Sequence, residues 1–353
     1  MAGLKITLVN SVKPIAGSGD GITEYTYNIY MQLSKQNTVV PVYSISNSIK
    51  NDVTGLLKVN LDLRSRAKAA VTANPDVVHI TNQEVGFAAA ATKASNPDIP
   101  VVTTIHDISR FEKGLHRGLL QRAYNAMVRR SVTQAIKLSD FLLFDSSQTK
   151  MDVKKMFDIG RHSVVNIGID KKYSVAAKRK QRRPFTVGYI GSFAYHKNVI
   201  MLMKAAKESK GMGIRFSIYG LGNEYETLKD YRIHNELQWV SLNGFAPENR
   251  KVEIYDSFDV FVFPSLYEGF GLPILEAQSR GLPVIIYKNC RISKEVRKYC
   301  LEARDEQHMA DMIYGIKENG YDRRLQKQAA SYARSFTWEK CAIETMHAYK
   351  KLL

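Results

Sequence analysis

The feature that most constrains the fold is a set of short, largely apolar runs separated by segments long enough for helices. Ile6–Val9, Val39–Ile45, Val77–Ile80, Val101–Ile105 and Phe141–Phe144 form a first group. Phe185–Ile190, Ile214–Tyr219, Trp239–Leu242, Val260–Phe263 and Val284–Tyr287 form a second. A strand with one wet face alternates apolar and polar residues, whereas runs apolar throughout belong to parallel sheets covered on both faces. Gly21–Leu33, Val85–Lys93 and Leu115–Leu138 carry helical spacing between them. This alternation predicts an α/β chain of doubly wound type, and the rhythm occurs twice.

The rhythm breaks around residue 171. The stretch Lys178-Arg179-Lys180-Gln181-Arg182-Arg183-Pro184 is basic, has no apolar period and ends in proline, which predicts an interdomain linker over 171–184. It separates a first domain, 1–170, from a second, 185–331. In the tail, 332–353, Trp338, Cys341, Ile343, Met346 and Tyr349 have the spacing of a terminal helix, expected to pack back toward the first domain. The chain length of 353 residues suits two such domains better than one oversized core. Two α/β halves imply a cleft, with ligands at the carboxyl ends of strands.

Charge narrows the partners. Lysine and arginine number 51 against 34 acids, a net charge of +17, which predicts attraction to nucleotide phosphates, nucleic acid or an anionic membrane. With 44% hydrophobic and 24% charged residues, the chain is not a disordered polycation. No helix-turn-helix, zinc finger or aromatic RNA-binding motif accompanies the charge. Cys290, Cys300 and Cys341 have spacings unlike any zinc or redox motif. Their odd number, without a signal peptide, predicts reduced thiols in the cytoplasm. No apolar run is long enough to span a bilayer, so any membrane contact is expected to be peripheral, at the inner face. The candidate element is Leu115–Leu138, where Arg117, Arg122, Arg129, Arg130 and Lys137 interleave with Leu119, Leu120, Tyr124, Met127 and Val128. It reads equally as a membrane-facing amphipathic helix or as a core helix with a solvated outer face.

The most informative segment is Phe263-Pro264-Ser265-Leu266-Tyr267-Glu268-Gly269-Phe270-Gly271-Leu272-Pro273-Ile274-Leu275-Glu276-Ala277. An apolar strand ends at Pro264, a glycine turn follows, and Pro273 stands where a first helical residue would. Amides of Gly269, Phe270, Gly271 and Leu272 would then form an anion site with the positive helix end behind them. Glu268 falls in the loop and Glu276 in the expected first helical turn, so both could accept hydroxyl hydrogen bonds from one ligand. As isolated residues, such acids would merely complement the helix dipole.

This string resembles the signature of the large family of retaining GT-B glycosyltransferases, group 1, with two glutamates separated by seven intervening residues; sucrose synthases and bacterial mannosyltransferases belong to it. Gly281-Leu282-Pro283-Val284-Ile285 continues the match, and Val187-Gly188-Tyr189-Ile190-Gly191-Ser192 with His196-Lys197-Asn198 resembles the family's strand-end basic segment. The resemblance implies two Rossmann-like domains facing a cleft and a metal-independent, cofactor-free transfer of a hexose from a nucleotide sugar, such as a UDP- or GDP-hexose. The acceptor would be a glycan, a lipid-linked sugar or a small molecule. By the same resemblance Glu276 would hold the ribose, Glu268 would lie near the transferred sugar and Lys197 would meet the donor diphosphate. Gly191, Ser192 and Gly220 would border the donor; many members carry arginine where Ser192 stands. The loop containing Gly17, Gly19 and Gly21 would face the phosphates and acceptor, although its spacing is not that of a dinucleotide motif. His106, after the strand ending at Ile105, is either a sugar-hydroxyl ligand or a structural histidine bonded to a neighbouring loop. An epimerase or phosphorylase of the same fold, a noncatalytic nucleotide-sugar sensor and a basic nucleic-acid-binding protein are the competing readings.

Overall fold

The computed structural model describes residues 3–15, 21–45, 53–111, 119–174 and 184–353. Gly17 and Gly19, residues 115–118 including Arg117, and most of the basic stretch 171–184 lie outside the described residues. The chain divides into two compact units, Met1–Gly168 with Trp338–Leu353, and Ile169–Thr337.

The first unit alternates β1 (Lys5–Asn10), α1 (Gly21–Leu33), β2 (Thr38–Tyr43), α2 (Val53–Val71), β3 (Val77–Ile80), α3 (Phe87–Ser95), β4 (Val101–Ile105), α4 (Leu119–Leu138), β5 (Phe141–Phe144), α5 (Ser147–Lys154) and β6 (His162–Val164). The six strands are parallel in the order β2-β1-β3-β4-β5-β6. Phe141 to Phe144 are all buried, as a run apolar on both faces requires. Pro41, which cannot donate to a ladder, is tolerated because β2 is an edge strand. On α4, Tyr124, Val128, Val132 and Ile136 are buried while Arg122, Arg130 and Lys137 are exposed. The helix is thus core-packed on one side and basic on the other.

The second unit contains β7 (Phe185–Ile190), α6 (Val199–Glu208), β8 (Ile214–Tyr219), α7 (Tyr225–His234), β9 (Val240–Leu242), α8 (Lys251–Asp256), β10 (Val260–Phe263), α9 (Leu272–Ser279), β11 (Val284–Tyr287), α10 (Lys294–Arg297), β12 (Leu301–Ala303), α11 (Glu306–Asn319) and α12 (Arg323–Arg334). Its parallel order, β12-β11-β10-β7-β8-β9, is the doubly wound 3-2-1-4-5-6 arrangement. The strand order reverses between β7 and β10, and ligands of open α/β sheets bind beyond the carboxyl ends of strands at such a point.

Three expectations change. The stretch from Lys171 does not begin as a free linker: Lys171–Ser174 forms a 3-10 turn with Tyr173 buried. The Tyr173 carbonyl accepts hydrogen bonds from Ser279 Oγ and Arg280, which anchors the turn in the second unit. The tail is not one helix from residue 332. Tyr332 belongs to α12, and a separate α13 (Trp338–Lys350) belongs to the first unit. There the Tyr349 hydroxyl lies 2.6 Å from His79 Nδ1 on β3. Finally, α2, β6 and β12 add elements the apolar runs did not reveal. Among the described residues no helix is long and apolar enough to cross a membrane.

Candidate functional site

The chemistry gathers at the carboxyl ends of β7 and β10. After β7 the chain makes a 3-10 turn, Tyr195–Lys197, and Asn198 follows in the left-handed region at φ 51°. A short polar side chain visits that region more readily than most. Asn198 Nδ2 donates to the Pro264 carbonyl at 3.2 Å, and the Leu266 amide donates to the His196 carbonyl at 2.8 Å. These bonds tie the segment after β7 to the segment after β10. The Glu268 amide donates to the Arg291 carbonyl, which fixes the other side of the loop. Lys197 Nζ consequently stands 2.7 and 2.8 Å from the two oxygens of Glu268, both side chains mostly shielded from solvent. The family resemblance implies different parts of a donor for these two residues; the structure joins them in one ion pair.

The glycine turn then leads into α9. Gly271 sits at φ +99°, a left-handed conformation that strains any side chain, whereas the nearest atom to a Cβ there, Ile292 Cδ1 at 2.8 Å, is the movable end of its side chain. Pro273 is the second helical residue rather than the first, which moves Glu276 from the expected first turn into the second. Phe270 turns inward, its ring centroid 6.0 Å from that of Phe336. It contributes backbone to the turn, not an exposed side chain.

Glu276 is buried, and the Tyr255 hydroxyl donates to its Oε2 at 2.7 Å. Burial pushes its carboxyl above the ordinary range, against the opposing charge of Lys251 and the Tyr255 hydrogen bond. Nearby, Glu248 takes Lys172 and Lys251, each at 2.7 Å. Burial also works against ionisation of Glu248, yet the two lysines hold it below its usual value.

The glycines expected at the donor have a local structural reason. A Cβ on Gly220 would lie 2.0 Å from the Gly191 carbonyl oxygen, and one on Gly191 would lie 2.5 Å from Tyr189 Oη. Gly220 thereby lets the ends of β7 and β8 approach closely, while Gly191 leaves room for the Tyr189 hydroxyl. Ser192 is exposed, and its carbonyl accepts from the Tyr189 hydroxyl.

In the first unit, His106 follows β4 and is buried. Its Nε2 lies 3.0 Å from the Thr81 carbonyl oxygen and its Nδ1 3.3 Å from Asp145 Oδ2. Both partners are acceptors, so both ring nitrogens are engaged within the fold. Burial disfavours the charged ring, but the Asp145 carboxylate and the Thr81 carbonyl raise its pKa nonetheless. Asp107 anchors the next turn by accepting from the Ser109 amide and hydroxyl, and Ser146 caps α5. Gly21 opens α1, and no atom stands within 4 Å of where its Cβ would be. Tyr255 and the trio of Lys172, Glu248 and Lys251 were not foreseen. Tyr255 sits in an unremarkable helical stretch, and its partnership across 21 residues leaves no local signal.

Residues 170–336 match the family described as Glycosyl transferases group 1, and residues 12–173 match Glycosyltransferase Family 4. Over 288 residues the chain is 27% identical to a glycogen synthase of Mycobacterium tuberculosis, covering 78% of this chain and 68% of that protein. Its fold is similar to sucrose-phosphate synthase from Thermosynechococcus elongatus, with TM-score 0.78, 17% identity and 98% coverage of both chains. It is also similar to HepE from Anabaena in complex with UDP and glucose, with TM-score 0.72, 16% identity, and coverage of 98% of this chain and 99% of that one. With both sheets parallel and Rossmann-like and the family matches running from residue 12 to residue 336, the chain belongs to the group 1 glycosyltransferases of GT-B fold.

Proposed function

We propose that this glycosyltransferase transfers a hexose from a nucleotide-diphosphate sugar to an acceptor hydroxyl, with retained anomeric configuration and no metal ion, in glycan or glycolipid assembly. The observation that carries the reading is the convergence of Lys197 and Glu268 where the β7–β10 order reverses, with Glu276 on the following helix. Lys197 supplies a compact positive charge where a leaving diphosphate would develop negative charge. To do so it exchanges one Glu268 oxygen for a phosphate oxygen, which frees that carboxylate to accept a sugar hydroxyl. Glu276 accepts from the ribose, and the turn 269–272 offers backbone amides at a helix start. In the front-side reaction the C1–phosphate bond breaks and the acceptor oxygen bonds C1 on the same face. The acceptor's proton passes to the departing phosphate. His106 can contact a sugar hydroxyl only by releasing Asp145 or Thr81, so its contribution is support of the loop after β4. The UDP and glucose named with HepE support a UDP-hexose donor in preference to a GDP-hexose.

Two further readings concern the setting. The three free cysteines fit a reducing, cytoplasmic compartment. The exposed side of α4 fits an anionic membrane surface. Leu57, Phe87, Ala90 and Met127 line an apolar cavity of about 370 Å³ flanked by Arg64 and Arg130, a combination that complements acidic lipid headgroups above acyl chains. Arg64→Glu with Arg130→Glu should abolish sedimentation with phosphatidylglycerol vesicles; sedimentation unchanged in that variant would remove the membrane reading.

The donor reading is tested by thermal shift against UDP, GDP, ADP and their hexose conjugates. A ligand at about 100 times its Kd stabilises a fold by roughly 2.7 kcal/mol. A selective response to one nucleotide is expected, and silence from all of them overturns the donor site. Proton NMR of the product should show the donor's anomeric configuration, and turnover should persist in EDTA.

A further inference from the structure

We infer that Tyr255 is a positioning residue for nucleotide recognition, orienting the Glu276 carboxylate through a hydrogen bond from its hydroxyl. The inference rests on the reading of Glu276 as the ribose-binding group. Its geometric basis is independent of that reading. Tyr255 is fully buried, and its ring is wedged edge-on against Tyr173 at 5.8 Å, Phe258 at 6.3 Å and Phe261 at 5.5 Å between centroids. A phenol packed on three sides has a fixed direction, so its hydroxyl reaches Oε2 of Glu276 without further ordering cost. Among the described residues this is the hydrogen bond that the Glu276 carboxylate receives from a side chain. Oε1 is left to accept from a ligand.

The surrounding charges explain why the donor is a phenol. The cations that act on Glu276 are Lys251, at the start of α8, and Lys172, from the 3-10 turn after residue 170. Both bond Glu248 instead, on opposite oxygens, and the Tyr173 hydroxyl donates to Glu248 as well. Glu248 thus takes the lysines, and Glu276 is held by a neutral donor. A carboxylate fixed by a neutral donor keeps its full negative charge for ligand hydroxyls, whereas one paired to lysine would have part of it cancelled. The cost is incomplete stabilisation of a buried charge, which burial expresses as a carboxyl pKa above the ordinary range.

The test measures UDP and GDP binding by isothermal titration in wild type, Tyr255→Phe, Tyr255→Leu, Glu276→Gln and Tyr255→Phe/Glu276→Gln. Both Tyr255 replacements delete the hydroxyl, and either one that melts near wild type suffices. Loss of one hydrogen bond to a charged group should weaken nucleotide binding about tenfold. The double variant should bind no more weakly than Glu276→Gln, because the hydroxyl acts only through the carboxylate. The acid limb of nucleotide affinity should also move to higher pH in Tyr255→Phe, since the lost bond favoured the ionised carboxylate; a purely structural role would leave that limb in place. Wild-type affinity in the folded Tyr255 variants, with affinity lost in Glu276→Gln, overturns the inference and leaves the ribose reading standing. Fully additive losses overturn it as well. Wild-type affinity in Glu276→Gln overturns the ribose reading itself.

Discussion

Lys197 Nζ bridges the two carboxylate oxygens of Glu268 across 71 residues of sequence, at 2.7 and 2.8 Å. The pairing follows from sheet order: β7 and β10 are neighbours although two strands intervene in sequence, so their carboxyl-end loops meet. An ammonium centred on a carboxylate is poised to be shared with a more highly charged phosphate.

Lys197→Met leaves the shielded Glu268 carboxylate without its cation and should lower stability by about 2 kcal/mol. Lys197→Met/Glu268→Gln should recover most of that loss, as read by urea denaturation. Each single substitution should cut kcat/KM by roughly a hundredfold or more, and the double variant should fall well short of the product of the two losses. Multiplicative losses would mean that the pair does not act as a unit.

Glu276→Gln should trade binding for stability in a pH-dependent way. The folded pKa of Glu276 is raised by burial above its unfolded value. Its contribution to stability is therefore full below the ordinary carboxylate pKa and is lost as pH rises through the folded value. Melting temperatures of variant and wild type should diverge as pH increases from about 4, with the variant higher. A constant difference across that range would contradict the raised pKa.

His79 sets an acid limit on the first unit. Burial, with the nearby His106, lowers its pKa to about 3. Its nitrogens lie 2.6 Å from the Tyr349 hydroxyl and 2.8 Å from Thr104 Oγ1, which joins α13 to β3 and β4. A depressed histidine leaves the unfolded chain binding the extra proton, so stability present above about pH 6.5 is lost as pH falls toward the folded value. His79→Gln should flatten that acid slope in chemical denaturation, and an unchanged slope would assign it to other groups. Tyr349→Phe should cost about 1 kcal/mol by removing one hydrogen bond.

Gly220→Ala and Gly211→Ala separate two uses of glycine. At Gly220 a methyl would strike the Gly191 carbonyl at 2.0 Å, a backbone clash that should cost about 3 kcal/mol or more. Gly211 has φ +79° but open space, so alanine there should cost about 1–2 kcal/mol of backbone strain. Comparable melting temperatures for the two variants would refute the distinction.

Much of the fold is local in origin. Val77–Ile80, Val101–Ile105, Phe141–Phe144, Phe185–Ile190, Ile214–Tyr219, Val260–Phe263 and Val284–Tyr287 are strands with the limits their composition suggests. β6 (His-Ser-Val) and β12 (Leu-Glu-Ala) are three-residue edge strands whose mixed composition gives no apolar run. Helix α2 has an amphipathic signal in its sequence: Leu56, Val59, Leu63, Ala67 and Val71 form a buried stripe among exposed Lys58, Arg64 and Lys68.

The sequence by itself determined the parallel α/β class, because burial on both faces leaves its mark in each strand separately. It also determined the Glu268–Glu276 string, because a strand, a glycine turn and a helix start are consecutive in the chain. Only the tertiary structure decided that Lys197 neutralises Glu268, that Tyr255 holds Glu276 and that Glu248 takes the neighbouring lysines. It likewise showed that both nitrogens of His106 serve the fold and that Tyr349 returns to His79. Each of these depends on which strands are neighbours and which helices cover them. That order is set by the packing of the whole sheet, whereas residue spacing reports only what lies within one turn or one strand.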